Sequence, residues 1–243
     1  MLTRRGLLAF GVGAVAAGAV QMSRGGDSLL RVRPQKSSGL IEPGRHALGL
    51  ASERDGLLIV PPGYRAGNPA PLAVMLHGAG GSARHFSSIV AIAGAAGVVL
   101  LLPESRGSTW DAIRGPYGVD VDFINRALEQ TFKRCAIDSR KLAIGGFSDG
   151  ASYGLSLGLD NGSLFTHVLA FSPGFTAARR PTGRPRIFIS HGRSDNILPI
   201  DATSRRIVPA LEEGGYAVTY KEFDGRHAVP ESIARDAFAW FTR

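Results

Sequence analysis

The chain is poor in cysteine, with one residue, Cys135, in 243. A lone cysteine cannot close an internal disulfide. With no CxxC partner and no neighbouring ligand cluster, it also argues against a thiolate metal site or a dithiol redox motif. Its expected role is a small apolar filler. Long apolar runs are scarce too: an uncharged stretch from Gly6 to Val20 stands out, and as a helix it reaches about 22 Å against the ~30 Å hydrocarbon core of a bilayer. A permanent membrane span is therefore not expected. No internal repeat is apparent. Basic residues exceed acidic ones, 28 to 20, for a formal charge of +8, yet they are scattered rather than interleaved with aromatics. Pairs such as Arg179 and Arg180 read as solvated surface, and no nucleic-acid partner is expected.

A hydrophobic content of 44% with 20% charged residues suits one ordinary globular domain. Residues 1–22 read differently. Arg4 and Arg5 precede the uncharged stretch, as a charged n-region precedes an h-region, and Ala17-Gly18-Ala19 offers small residues for cleavage. The segment resembles a twin-arginine export signal, with Ala9 where a basic residue usually follows. Transient contact with the twin-arginine export machinery and a periplasmic or extracellular location are what the resemblance implies. Residues 23–45 are polar and lack sustained periodicity, so they read as a linker or loose arm. Residues 46–243 form the expected domain.

There, short apolar runs alternate with helical patterns, the mark of a mostly parallel sheet covered on both faces. Strands are expected at His46 to Ala51, Leu57 to Val60, Leu72 to Leu76, Val98 to Leu102, Lys141 to Ile144, His167 to Phe171, Arg186 to Ser190 and Ala217 to Glu222. Helices are expected at Ser82 to Ala96, Val119 to Arg134, Asp149 to Leu159, Asp201 to Glu213 and Val229 to Phe241. The first two strands have no room for a crossover between them, so they should pair antiparallel at an edge. No segment is long enough for a separate lid domain.

Gly146-Phe147-Ser148-Asp149-Gly150 matches G-x-S-x-G and lies between an apolar strand and a helical run. That setting suits a nucleophile elbow, a strained turn that lifts a serine hydroxyl above the sheet and requires small neighbours. A serine hydroxyl is a weak nucleophile, so a base and an orienting acid must follow in the order Ser, acid, His. Asp195 follows one strand in His191-Gly192-Arg193-Ser194-Asp195, and His227 follows the last strand in Asp224-Gly225-Arg226-His227. Loops at these strand ends gather on one edge of a parallel sheet. Asp201 reads instead as a helix cap and Asp224 as a turn residue, while Asp149 points elsewhere. His46, His85 and His167 lack motif context, and His191 reads as a structural strand-end residue.

Two backbone N–H groups are needed to hold a tetrahedral oxyanion. Asp149 should supply one. Ala79, with Gly80 second, should supply the other from His77-Gly78-Ala79-Gly80-Gly81, a loop lacking the spacing and the Lys-Ser/Thr ending of a nucleotide site. Trp110, in Ser105-Arg106-Gly107-Ser108-Thr109-Trp110-Asp111, is a candidate for the substrate pocket. Through these motifs the stretch from about Leu57 to Phe241 resembles the α/β-hydrolases, in the phospholipase/carboxylesterase branch related to acyl-protein thioesterases. It is similar also to secreted polyhydroxybutyrate-depolymerase-like and feruloyl-type esterases. Thioesterase relatives commonly carry Gln after the nucleophile, where this chain has Asp149. The expected activity is hydrolysis of small or polymeric carboxylic esters through an acyl-enzyme on Ser148, with no metal or organic cofactor. A prolyl-oligopeptidase-type peptidase lacks room for its accessory domain, and a catalytically silent binding protein would need no Ser, His and Asp set.

Overall fold

The computed structural model describes residues 26–37 and 41–243; the expected export segment, residues 1–22, lies outside them. The elements are β1 (Gly44–Ala47), β2 (Gly56–Val60), β3 (Ala70–Leu76), α1 (Ser87–Ala95), β4 (Val99–Pro103), α2 (Asp111–Arg114), α3 (Val119–Arg134), β5 (Ile137–Phe147), α4 (Asp149–Asp160), β6 (His167–Phe171), β7 (Arg186–Gly192), α5 (Ser204–Glu213), β8 (Val218–Phe223) and α6 (Glu231–Thr242). The eight strands form one sheet in the order β1-β2-β4-β3-β5-β6-β7-β8. The β1–β2 edge hairpin expected from the short connection is present, and β2 also runs antiparallel to β4. All remaining neighbours are parallel.

Strand side chains alternate between two faces, and both faces are buried. From β3, Leu72, Val74 and Leu76 enter one core with Phe123, Phe132 and Leu155 of α3 and α4. Ala73 and Met75 enter the other with Ile89 and Ile92 of α1 and Phe238 and Phe241 of α6. This double burial is why these strands read as continuous apolar runs. Because β3 has β4 on one side and β5 on the other, the chain reverses its winding direction here. The crevice beyond the carboxyl ends of such strands is where open α/β sheets hold ligands. Among the described residues no helix is long and apolar enough to cross a membrane.

Several boundaries depart from expectation for local physical reasons. β1 stops at Ala47 because the Asp55 carboxylate collects the N–H groups of Gly49, Leu50 and Ala51 at 2.6, 2.8 and 3.2 Å, folding that stretch into a turn. The helix expected from Ser82 opens as a 3-10 turn, Ala83–Phe86, before α1. Asp201 is not a helix cap: it lies in a second 3-10 turn, Ile200–Ala202, and its carboxylate pairs with Arg205 at 2.8 Å. Cys135 is a buried apolar filler, its thiol pushed up to about 11 by burial.

The described part of the arm is not loose. Ser28 donates to Asp160 Oδ2 at 2.6 Å, while Leu30 N–H reaches Asn161 Oδ1 at 2.8 Å. Asn125 Oδ1 accepts the N–H groups of Arg31 and Val32 at 2.8 and 3.1 Å. Leu30 is 1% exposed and joins the core. Buried Asp160 also accepts the N–H groups of Arg179 and Arg180, so one carboxylate ties the arm to the β6–β7 connection. Polarity of the arm's sequence concealed this because its anchors are backbone amides and a single leucine. Leu30→Ala should therefore lower unfolding free energy by about 2–4 kcal/mol, as for other buried leucines. Urea denaturation with unchanged m-value checks this; a change under about 0.5 kcal/mol, typical of surface positions, would mean that the arm is not docked.

Candidate active site

At the junction of β5 and α4, Ser148 holds φ 59° and ψ −121°, a left-handed conformation for a residue with a side chain. Such a turn costs about 1–3 kcal/mol and persists only where its surroundings determine it. Ser148 N–H donates to Phe171 O at 3.0 Å, and Ser148 O accepts from the N–H groups of Ala151 and Ser152 at 2.9 and 3.0 Å. A Cβ on Gly146 would lie 2.2 Å from Leu76 O, and one on Gly150 would lie 2.0 Å from it. Both positions are therefore closed to any larger residue. Asp149 opens α4, so its N–H has no partner within the helix, while its carboxylate is occupied by the Thr109 hydroxyl at 2.6 Å.

The loop after β3 lies against this turn. A Cβ on Gly78 would stand 3.2 Å from Ser148 Cβ. Gly80 N–H is spent on Ser108 O at 2.7 Å and Gly81 N–H on Gly78 O at 3.0 Å, whereas Ala79 N–H is taken by no hydrogen bond among the described residues. This favours Ala79 over Gly80 as a free donor. His77 fixes the loop from beneath. Burial lowers its pKa, and a neutral ring satisfies both contacts: Nδ1–H donates to Gly78 O at 2.8 Å and Nε2 accepts Ser105 N–H at 3.0 Å. From the β1–β2 loop, Arg54 donates to Gly81 O at 3.0 Å and to Ser105 Oγ at 3.1 Å.

Beyond β7, Asp195 is 5% exposed and its carboxylate is saturated. Oδ1 accepts the N–H groups of Ile197 and Leu198 at 2.9 and 2.8 Å, and Oδ2 lies 2.6 Å from His227 Nδ1. Burial pushes this carboxyl up, but the donors from Leu198, His227 and Ile197 outweigh it and hold the group below the usual carboxylate range. His227, beyond β8, packs its ring on Phe147, centroids 4.6 Å apart, which brings it beside the Ser148 turn. No hydrogen bond joins Ser148 to His227, and such bonds often tighten only when substrate is bound. Asp224 pairs with Arg193 at 2.6 Å at the surface and has no hydrogen bond to His227.

No protein-family model matches the chain. The candidate esterase NocK of Nocardia uniformis subsp. tsuyamanensis is 33% identical over 147 residues, which are 55% of this chain and 42% of that protein. The chain thus matches less than half the length of this curated relative. FphF, a fluorophosphonate-binding serine hydrolase of Staphylococcus aureus, superposes with a TM-score of 0.65 at 13% identity, covering 84% of this chain and 100% of that one. A ferulic acid esterase from Anaeromyces mucronatus, solved with ferulic acid, gives 0.63 at 17% identity, covering 86% and 93%. The chain has the α/β-hydrolase fold.

In this α/β-hydrolase fold Ser148, Asp195, His227 and the Ala79 and Asp149 amides stand at the carboxyl ends of β5, β7, β8 and β3. Trp110 does not join them as a pocket residue. It is fully buried, its indole N–H donates to His77 O at 2.8 Å, and its ring lies between His77 and Tyr153, 4.9 and 5.3 Å away. It braces the loop that carries Ala79; an indole in an apolar site must satisfy its N–H, and that need draws it inward. A cavity of about 350 Å³ opens instead between that loop, Phe147, His227 and the start of α1. Arg54 gave no sequence signal, because its role depends on a hairpin folding over a loop more than twenty residues away.

His191 is a strand-end residue, as expected, but it also touches Asp195. Fully buried, it sets Nε2 at 2.8 Å from Leu198 O and 3.1 Å from Asp195 Oδ2, with Nδ1 2.7 Å from Ser204 Oγ. Burial lowers its pKa despite the carboxylate, so a neutral ring donates from Nε2 and accepts the Ser204 hydroxyl proton. His191→Leu leaves the Leu198 carbonyl and the Ser204 hydroxyl without this partner, and it should cost about 1–3 kcal/mol. His191→Gln, which keeps a donor at similar reach, should recover part of that loss. Chemical denaturation of both variants checks this, and equal stability of all three proteins would show that the buried contacts contribute nothing.

Proposed function

We propose that the protein is a serine-dependent carboxylic ester hydrolase. The observation that carries this reading is the left-handed Ser148 turn standing beside a histidine whose far nitrogen is held 2.6 Å from a buried carboxylate. In the proposed reaction the Ser148 hydroxyl attacks the ester carbonyl while His227 Nε2 accepts its proton. The oxyanion is received by the N–H groups of Ala79 and Asp149, the latter at a helix N-terminus whose dipole favours negative charge. His227 then returns the proton to the leaving alcohol, and water repeats the sequence on the acyl-enzyme. Asp195 keeps a proton on Nδ1 and stabilises the imidazolium without itself being protonated. Its depressed pKa suits that role. The similarity to NocK and to the ferulic acid esterase supports esters as the substrate class, and the similarity to FphF supports a serine hydrolase.

Asp195→Asn should lower kcat by about 10⁴-fold through the wrong tautomer. Asp201→Asn and Asp224→Asn, which break only exposed ion pairs, should stay within about threefold. Steady-state hydrolysis of 4-nitrophenyl acetate checks this; a collapse in either surface variant with an active Asp195→Asn would move the acid elsewhere.

Export is part of the proposal, on the strength of Arg4, Arg5 and the uncharged stretch that follows. Changing both arginines to lysine should trap the precursor in the cytoplasm, as read by fractionation. Undiminished export of the double-lysine precursor would contradict twin-arginine routing.

A further inference from the structure

The cavity beside His227 has a chemistry of its own. Its walls include Phe86, Ile89, Phe147 and Val229, and among the described residues no lysine, arginine, aspartate or glutamate lines it. A charged group entering it would lose water and meet no permanently charged counter-ion, which is unfavourable. At ~30 Å³ for each water-sized group, 350 Å³ admits roughly a dozen non-hydrogen atoms. A long lipid chain exceeds that, and most of its length would remain in water.

Besides His77 and His227, two further polar side chains line the cavity. His85 and Ser88 both line the cavity and are three residues apart where the 3-10 turn enters α1, so both face it. The ring of His85 has a settled orientation: Nδ1 accepts Ser82 N–H at 3.2 Å. Its proton must then sit on Nε2, leaving that nitrogen a donor. The Ser88 hydroxyl makes no hydrogen bond among the described residues, so it too is available to a ligand. Both residues are solvent-exposed, so a purely apolar ligand lying over them would displace their water without replacing it, which is unfavourable. An oxygen acceptor on the ligand would satisfy them.

We infer that this cavity binds the acyl or alcohol part of a compact, uncharged ester carrying an ether, hydroxyl or second carbonyl oxygen away from the reacting carbonyl, recognised by His85 and Ser88. The inference rests on the hydrolase reading and adds to it the kind of substrate. Each polar contact should favour the oxygen-bearing ligand by about three- to tenfold, the range of one hydrogen bond.

The test compares pairs differing by one CH2-to-oxygen exchange. In the acyl series these are 4-nitrophenyl pentanoate and 3-methoxypropanoate, and in the alcohol series butyl acetate and 2-methoxyethyl acetate. 4-Nitrophenyl hydrogen succinate and hexadecanoate are the charged and long-chain controls. Active sites are first titrated with a fluorophosphonate, so that failure of the hydrolase reading shows as absent labelling, separately from failure of the substrate inference. With kcat/KM divided by the alkaline hydrolysis rate of each ester, at least one series should favour the ether by three- to tenfold. That preference should fall to within twofold of unity in His85→Leu/Ser88→Ala, whose labelling reports an intact fold. The controls should be slower than the ether by more than tenfold. A labelled enzyme with no ether preference in either series, a preference surviving the double substitution, or a control outpacing the ether would overturn the inference.

Discussion

The site depends on how closely the Ser148 turn approaches the end of β3. A left-handed serine is unfavourable by itself, and it is held here because β5 and α4 meet the Leu76 carbonyl at two glycines, Gly146 and Gly150, whose backbones leave no room for a Cβ. That contact sets the distance between the Ser148 turn and the following loop, so Gly78 abuts Ser148 and Ala79 keeps an unspent N–H. Widening the β3–β5 approach would relax the turn and separate the two amides proposed to hold the oxyanion.

Around that contact the polar groups are arranged by satisfying buried donors and acceptors. Asp195 gathers two backbone amides and two imidazoles, and this saturation keeps a buried carboxylate ionised against the desolvation that opposes it. Beneath the loop that carries Ala79, His77, Ser105, Arg54 and Trp110 fix carbonyls and ring nitrogens alike. In the proposed mechanism the donors thus stand oriented before any substrate arrives, the condition under which electrostatic stabilisation contributes most. Ser148 and His227 are left unjoined, and in the proposed mechanism a bound substrate completes that contact.

Much of this was legible in the sequence because a sheet buried on both faces writes its strands as apolar runs, and because a strained serine turn demands glycines at fixed offsets. β6 and α3 have the expected bounds, and the residues of the separated motifs lie together at one sheet edge. What was not legible depends on distant partners. The strand expected to end at Ile144 continues through Gly145 and Gly146, since pairing on both sides holds residues of low strand propensity. The arm reads as loose because backbone amides anchor it. Trp110 reads as a pocket residue because its sequence does not reveal that its N–H is satisfied inside by the His77 carbonyl. His85 stands three residues from Ser88 in the plain sequence, yet nothing local shows that both face a cavity with His227.

The most direct measurement of the proposed mechanism is a crystal structure of the protein after reaction with a small fluorophosphonate. It should show phosphorus bonded to Ser148 Oγ, the phosphonyl oxygen about 2.7–3.1 Å from the N–H groups of both Ala79 and Asp149, and His227 still hydrogen-bonded to Asp195. An adduct on another residue, or a phosphonyl oxygen turned away from both amides, would contradict it.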